Sequence, residues 1–468
     1  MGFYISIFII VYLLVGISAA TKIKNKAKNY YIAGKSLPLW IAMLTLSAQS
    51  LDSNASLGNA TFAYQSGFWA GAILPLGLGT ALFLTGRFFA EPLNKMNLLT
   101  LPDFYYERYG KAVELIVSVL TVISFSILLA GNLAGISILA NYIWGIPYNI
   151  SVICVSVLIL LYTIPGGLFS VAWTDILQIS IAVIGFISGF LWLIGSHGTE
   201  LLFNTLQSVS FSPMYSINEG ALPNWAAFLA LGLGDIVALD FMERVFSAKT
   251  PKVAKTSCYL AGTITIAVGI PITLMGMMAF ALYGEAATNS IFLKFVSEQM
   301  PFGITVLIFS GIIGASMSTA DGAILATSTV ITRNIVGRHF PKIVTRDRLL
   351  GLSRLAALPI AGLAVLFAIV RPDPGILLVL AFDIVFAGCL IPLAFGIYWK
   401  ESSPFAALVS IIAATVSRLI LFFVIPEAYA GADTLIPPVI SLFLFVGLSK
   451  LKARKKSGPA LGVGQSAE

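Results

Sequence analysis

Ser47-Ala48-Gln49-Ser50-Leu51-Asp52-Ser53-Asn54-Ala55-Ser56-Leu57-Gly58-Asn59 is a polar, glycine-bearing stretch set inside an apolar run over residues 38–65. Serines, amides and an aspartate at this density cannot face lipid, because each desolvated polar group there needs a partner. The stretch reads as an unwound segment of a membrane helix that lines an internal cavity.

The rest of the chain supplies the membrane. Of its 468 residues, 58% are hydrophobic and 10% are charged. The mean hydropathy is +0.93. A soluble domain carries about a quarter charged residues, so lipid is the natural solvent for most of this sequence. The apolar runs are continuous and do not alternate with period two. The fold class is therefore an all-α membrane protein and not a barrel.

We read thirteen spans, at 2–20, 38–65, 67–90, 112–142, 149–165, 174–196, 222–247, 257–284, 302–332, 350–370, 374–398, 404–425 and 434–450. The net charge of +7 is a topology signal and does not point to nucleic acid. All Lys and Arg except Lys294, Arg371 and Arg418 fall in alternate loops on one side, as the positive-inside rule requires. This predicts an outside N-terminus and a cytoplasmic C-terminus in a multi-pass protein of the bacterial inner membrane. The apolar N-terminal run lacks a basic leader, so we read it as a retained helix. The tail over 453–468 is expected to be disordered. Cys154, Cys258 and Cys389 are scattered, and are expected to be small core residues. The two histidines lie in predicted loops, which leaves no basis for a His-based enzyme site.

Ionisable groups at membrane depth mark ion or substrate routes. Asp52, Asp235, Asp240, Asp321 and Asp383 lie in apolar surroundings, with Asp175 near a span end. For each alone, a helix cap or a pair with an arginine is the plain alternative. The seventh span carries Gly232 and Gly234 before Asp235, an interruption five spans after the first. Interrupted helices at matching positions point to an inverted-repeat transporter; small-residue helix packing is the alternative. The ninth span reads Gly314-Ala315-Ser316-Met317-Ser318-Thr319-Ala320-Asp321-Gly322. Its hydroxyls can supply neutral oxygen ligands to a hard cation, or bond back to their own helix. Asp52 and Asp240 sit near the predicted cavity and would pair with a cationic amine.

Several motifs are similar to those of the sodium:solute symporter family. They are Gly166-Gly167-Leu168-Phe169-Ser170-Val171-Ala172-Trp173-Thr174-Asp175-Ile176-Leu177-Gln178, Ala315 to Asp321 with Thr332-Arg333-Asn334-Ile335, Glu243 to Lys249, and Pro392 to Lys400. The resemblance covers nearly the whole chain. It implies a LeuT-type fold of two inverted five-helix repeats, over 36–200 and 220–400. One extra helix over 1–21 precedes them, and two over 403–452 follow. It also implies a sodium site formed by the carbonyls of Ala48, Leu51 and Ala315 with the hydroxyls of Ser318 and Thr319. Asp175 matches the acidic residue of a second cation site that some members have, whose serine positions here are Asp321 and Gly322. Substrate contacts would come from Ser50, Asp52, Ala55, Asn59, Gly234, Ala238, Asp240 and Asp321.

Gly86 to Pro92 and Asn59 to Tyr64 resemble the high-affinity choline transporter branch. Quaternary ammonium binding favours an aromatic cage. Asp52 and Ala238 stand where the resemblance would place tryptophans, which argues against choline itself. The expected function is sodium-coupled import of a small polar solute, with amine-bearing solutes such as amino acids or polyamines favoured. A proton-coupled carrier of the same fold is the alternative. A channel would show a continuous polar stripe, whereas polarity here is local to the interrupted helices. Nothing points to nucleic acid or to an obligatory protein partner.

Overall fold

The computed structural model describes residues 1–20, 33–285, 290–341 and 349–456. Lysines 22, 24, 26, 28, 342, 455 and 456 and arginines 346 and 348 bear on the expected topology. Of these, Lys455 and Lys456 lie on the described helix and the others lie outside the described residues.

Among the described residues the chain is helical throughout; the one bridge pairs Leu37 with Ala248. The helices are α1 (Gly2–Ala20), α2 (Leu39–Ser50), α3 (Ser53–Ser66), α4 (Phe68–Lys95), α5 (Leu101–Tyr109) and α6 (Lys111–Trp144). There follow α7 (Tyr148–Ile164), α8 (Val171–Gln207), α9 (Ala221–Val237), α10 (Leu239–Ser247), α11 (Pro251–Tyr283) and α12 (Ile291–Gln299). The last are α13 (Phe302–Gly337), α14 (Leu349–Val370), α15 (Pro374–Gly388), α16 (Leu390–Tyr398), α17 (Pro404–Val424) and α18 (Ala432–Lys456). Eight of these are long and apolar enough to cross a membrane, and ten spans result if each bent pair counts as one. Gly2–Ser18, Leu39–Ser50 and Tyr148–Ile164 are shorter apolar helices. Length and apolarity therefore establish fewer crossings than the thirteen expected.

Burial assigns the layers. Every residue from Ile308 to Val330 of α13 is buried. A helix apolar and buried all round belongs at the centre. It packs on α6, α7 and α8, while α11 packs on α2, α3 and α4. Backbones approach closely where side chains are absent: a Cβ on Gly58 would lie 2.5 Å from the Gly375 Cα. By contrast α1 and α17 present large exposed apolar side chains such as Phe3, Leu14, Leu419 and Phe423, as lipid contact requires.

The breaks fall close to where the sequence put them. α2 ends at Ser50, Leu51 leaves helical geometry (φ −125°, ψ 29°), and α3 starts at Ser53. In the seventh span Ala230–Gly234 widens into a π turn. The chain leaves the helix only at Ala238 (φ −61°, ψ 126°), with a 43° bend. The glycines loosen this helix, but the break itself lies a turn later than Gly232.

Other features depart from expectation. A further bend of 49° at Cys389 divides the expected span 374–398. The amphipathic α5 and α12 lie in what read as loops, and α5 is nucleated by a Thr100–Asp103 capping box. Cys154 is exposed rather than a core residue; it sits on an outward face of α7, where a thiol meets lipid as readily as an alkyl group does. Arg244, counted among the loop charges, is fully buried and ion-paired, so it carries no topology signal. α18 continues through Lys456, so residues 453–456 of the tail expected to be disordered are helical.

Candidate functional site

The break between α2 and α3 exposes both kinds of helix end inside the protein. The end of α2 leaves carbonyls without helical partners, and the start of α3 leaves N–H groups without them. The polar residues from Ser47 to Asn59 are at most 5% exposed, so these groups must find partners within the protein.

On the carbonyl side, α13 meets α2. The Thr319 hydroxyl lies 3.5 Å from the Ala48 carbonyl oxygen. Ser318 Oγ donates to Asp175 Oδ1 at 2.5 Å and accepts from Gln49 Nε2 at 3.0 Å. One lone pair on Ser318 Oγ is left over. Carbonyl oxygens at a helix C-terminus, two adjacent hydroxyls and a carboxylate one shell out suit a hard monovalent cation. The donor set thus fits sodium. Leu51 and Ala315 are buried at the same junction.

On the N–H side, the chain fills its own site. Asp52 caps α3, accepting from Ala55 N at 2.9 Å. Its other oxygen accepts from Asn132 Nδ2 at 2.6 Å and Asn54 Nδ2 at 3.3 Å. Ser53 N donates to Ser316 Oγ at 2.9 Å. Ser50 and Asn59 fasten the broken helix to α11: Ser50 Oγ lies 2.5 Å from Thr265 Oγ1, and Asn59 Nδ2 donates to the Gly269 carbonyl at 2.8 Å.

The opposite break lies across from this one. Gly234 packs so tightly on α15 that a Cβ would sit 2.6 Å from the Phe382 carbonyl oxygen. Ala238 is fully buried at the bend. Asp240 accepts from Phe241 N at 2.7 Å in the first turn of α10. The carboxylates of Asp52, Asp235 and Asp240 are near enough for their charges to interact.

Deeper in, Arg244 Nη2 pairs with Asp175 Oδ2 at 3.3 Å, and Nη1 lies 3.5 Å from Glu243 Oε2. Gly322 makes room for this guanidinium, since a Cβ there would lie 3.1 Å from Nη1 and 2.7 Å from Gln49 Oε1. Asp321 accepts a hydrogen bond from Thr163, while its Oδ2 has none. Asp321 is the neighbour in sequence of Gly322, which packs on the Arg244 guanidinium.

The structure brings Ala48, Ser318, Thr319 and Asp175 into one cluster and Asp52, Asp235 and Asp240 into another. Gln49, Asn132 and Arg244 were not on the expected list. A lone Asn in the apolar stretch Leu128-Leu129-Ala130-Gly131-Asn132 is the signal that would have found the second of these.

Comparison with known proteins follows the same lines. A model of the sodium:solute symporter family matches residues 30–414. The human high-affinity choline transporter 1 is 25% identical over 92% of this chain and 78% of its own length. The sodium/glucose cotransporter of Vibrio parahaemolyticus is 23% identical over 92% of this chain and 85% of its own. Among solved structures, a Na+-coupled sialic acid symporter in a substrate-bound outward-open state superposes with a TM-score of 0.80. It is 20% identical, over 96% of each chain, a likeness that speaks for the fold. The chain belongs to the sodium:solute symporter family, whose members are transporters and not enzymes, and sodium is its coupling ion.

Proposed function

We propose that this protein imports a small polar organic solute, amine-bearing by preference, together with sodium by alternating access. The observation that carries the reading is the meeting of the Thr319 hydroxyl, the Ala48 carbonyl and the Asp175-bound Ser318 hydroxyl at the broken helix. In this reading sodium takes the carbonyls of Ala48, Leu51 and Ala315 with Ser318 and Thr319. The solute lies on the other side of the same break, among Ser50, Asp52, Ala55, Asn59, Gly234, Ala238 and Asp240. Asp175 and Asp321 form the deeper acidic pair beside Arg244.

Sodium binding would fix α2 against α13. Because Leu51 and Asp52 are adjacent, ordering the carbonyl side orders the solute side too. The solute then raises sodium affinity by the same factor that sodium raises solute affinity. With 36–200 and 220–400 as the two inverted repeats, rocking of the helix bundle against the scaffold would expose the site inward. Thirteen spans, an outside N-terminus and a bacterial inner membrane complete the reading. An inside-negative potential favours entry of each net positive charge by about 2.3 kcal/mol per 100 mV.

The test uses sodium alone. The purified protein should unfold at a higher temperature in NaCl than in KCl, by an amount that grows with concentration. Ser318→Ala should remove that difference. Equal stability of the wild type in the two salts would contradict the site.

A further inference from the structure

Asp235 is fully buried, and neither of its carboxylate oxygens has a hydrogen-bond partner. The other acids at the breaks are accommodated differently. Asp52 holds three N–H donors, and Asp240 holds the Phe241 N–H. Asp175 and Glu243 share Arg244. Among the described residues, no cation is paired with Asp235. A carboxylate left like this at membrane depth is costly. It is explained if its partner arrives and leaves with each transport cycle.

The two half-helix starts say what that partner is not. The N-terminus of a half-helix inside a carrier attracts an anionic substrate group. Here Ser53 N is held by Ser316 and Ala55 N by Asp52, while Ser56 N bonds the Asp52 carbonyl. At α10, Asp240 takes the Phe241 N–H. At each start a carboxylate of the chain itself already stands, Asp52 on the Ala55 N–H and Asp240 on the Phe241 N–H. A zwitterion would thus bring its negative end to Asp52 or Asp240 and meet repulsion.

We infer that Asp235 anchors an ammonium group of the transported solute, and that this solute is an organic amine of net positive charge with no carboxylate. The inference rests on the reading that the solute lies at the helix breaks. It narrows that reading from polar solutes in general to amines such as diamines, and it gives the recognition role to Asp235. Asp52 and Asp240 exclude anions, and their charges favour a second ammonium group.

The test is binding to the purified full chain in NaCl, followed by thermal shift and by calorimetry. The probes are 1,4-diaminobutane, 1,5-diaminopentane and butylamine, set against proline and glucose. One or more of the amines should bind, and proline and glucose should not. Asp235→Asn should weaken the best amine at least tenfold, while Asp235→Glu restores part of the affinity. Both variants should keep the wild-type response to sodium, which shows that they are folded. The inference is overturned if no amine binds, if proline or glucose is the probe that binds, or if Asp235→Asn leaves amine affinity unchanged. Those results with sodium stabilisation intact would defeat the amine assignment alone. Loss of sodium stabilisation in the wild type would defeat the proposed function beneath it.

Discussion

Asp52 and Asp383 are both aspartates at membrane depth, and the structure gives them different work. Asp383 pairs with Arg418 at 2.5 Å, a structural tie. Asp52 caps a half-helix at the centre of the carrier. Composition raises both equally; only the partner tells them apart, and the partner of Asp383 lies 35 residues away in another helix. Gly322 is a further case. Its lack of a side chain admits the Arg244 guanidinium, so Gly322→Ala should displace the Arg244–Asp175 pair. We expect a loss of about 1–3 kcal/mol in stability from overpacking, read as a lower denaturation midpoint. Sodium affinity should fall with it, because Asp175 orients Ser318. The hydroxyls of the proposed sodium site were conspicuous in the sequence, at consecutive positions of an apolar helix, whereas the ligand set as a whole came from the family resemblance. Arg244 was not conspicuous, since in a linear reading a basic residue near a span end looks like a loop charge.

At the scale of elements, two devices hold the ends of the carrier. On the side rich in basic residues, Asp103 of α5 receives Arg333 at 3.1 Å and Arg338 at 2.6 Å from the end of α13. Glu114 of α6 joins Arg338 at 2.7 Å, and that guanidinium stacks 3.8 Å from the Tyr106 ring centre. This cluster fastens α5 and α6 to α13 on that face. Asp103→Ala removes the α5 cap, takes the carboxylate from Arg333 and leaves Arg338 with Glu114 alone. It should lower the thermal midpoint and speed proteolysis near α5, a comparison made by limited digestion of both proteins. The second device is the Arg418 tie, which also takes Asp433 at 2.9 Å and so joins α15, α17 and α18. Breaking a buried pair by removing one partner costs about 3–5 kcal/mol. Arg418→Ala should therefore destabilise strongly. Its sodium affinity, measured well below the new midpoint, should match the wild type, because α17 stands apart from the breaks. The helix breaks themselves were legible as polar or glycine-rich interruptions. The bend at Cys389 also has a signal, which reading 374–398 as one span passes over: Pro392 has no N–H for the Gly388 carbonyl four residues back, so the helix kinks there.

For the whole molecule, the account is that one broken helix couples two ligands, sodium at its carbonyl end and an amine beyond it. The number of crossings was less legible than their positions. Length and apolarity give eight to ten crossings, and short apolar helices such as α2 and α7 fall below the length that would count them alone, whereas the reading of thirteen rests on the alternation of charge in the loops. The most direct test of coupling is 22Na+ influx into proteoliposomes holding the protein, with a potassium gradient setting the interior negative. The account predicts that an external amine that binds, such as 1,4-diaminobutane, accelerates 22Na+ entry, and that Ser318→Ala abolishes the acceleration. If amine entry instead proceeds equally with sodium replaced by potassium and follows an imposed pH gradient, sodium coupling is wrong and the protein is a proton-coupled carrier of the same fold.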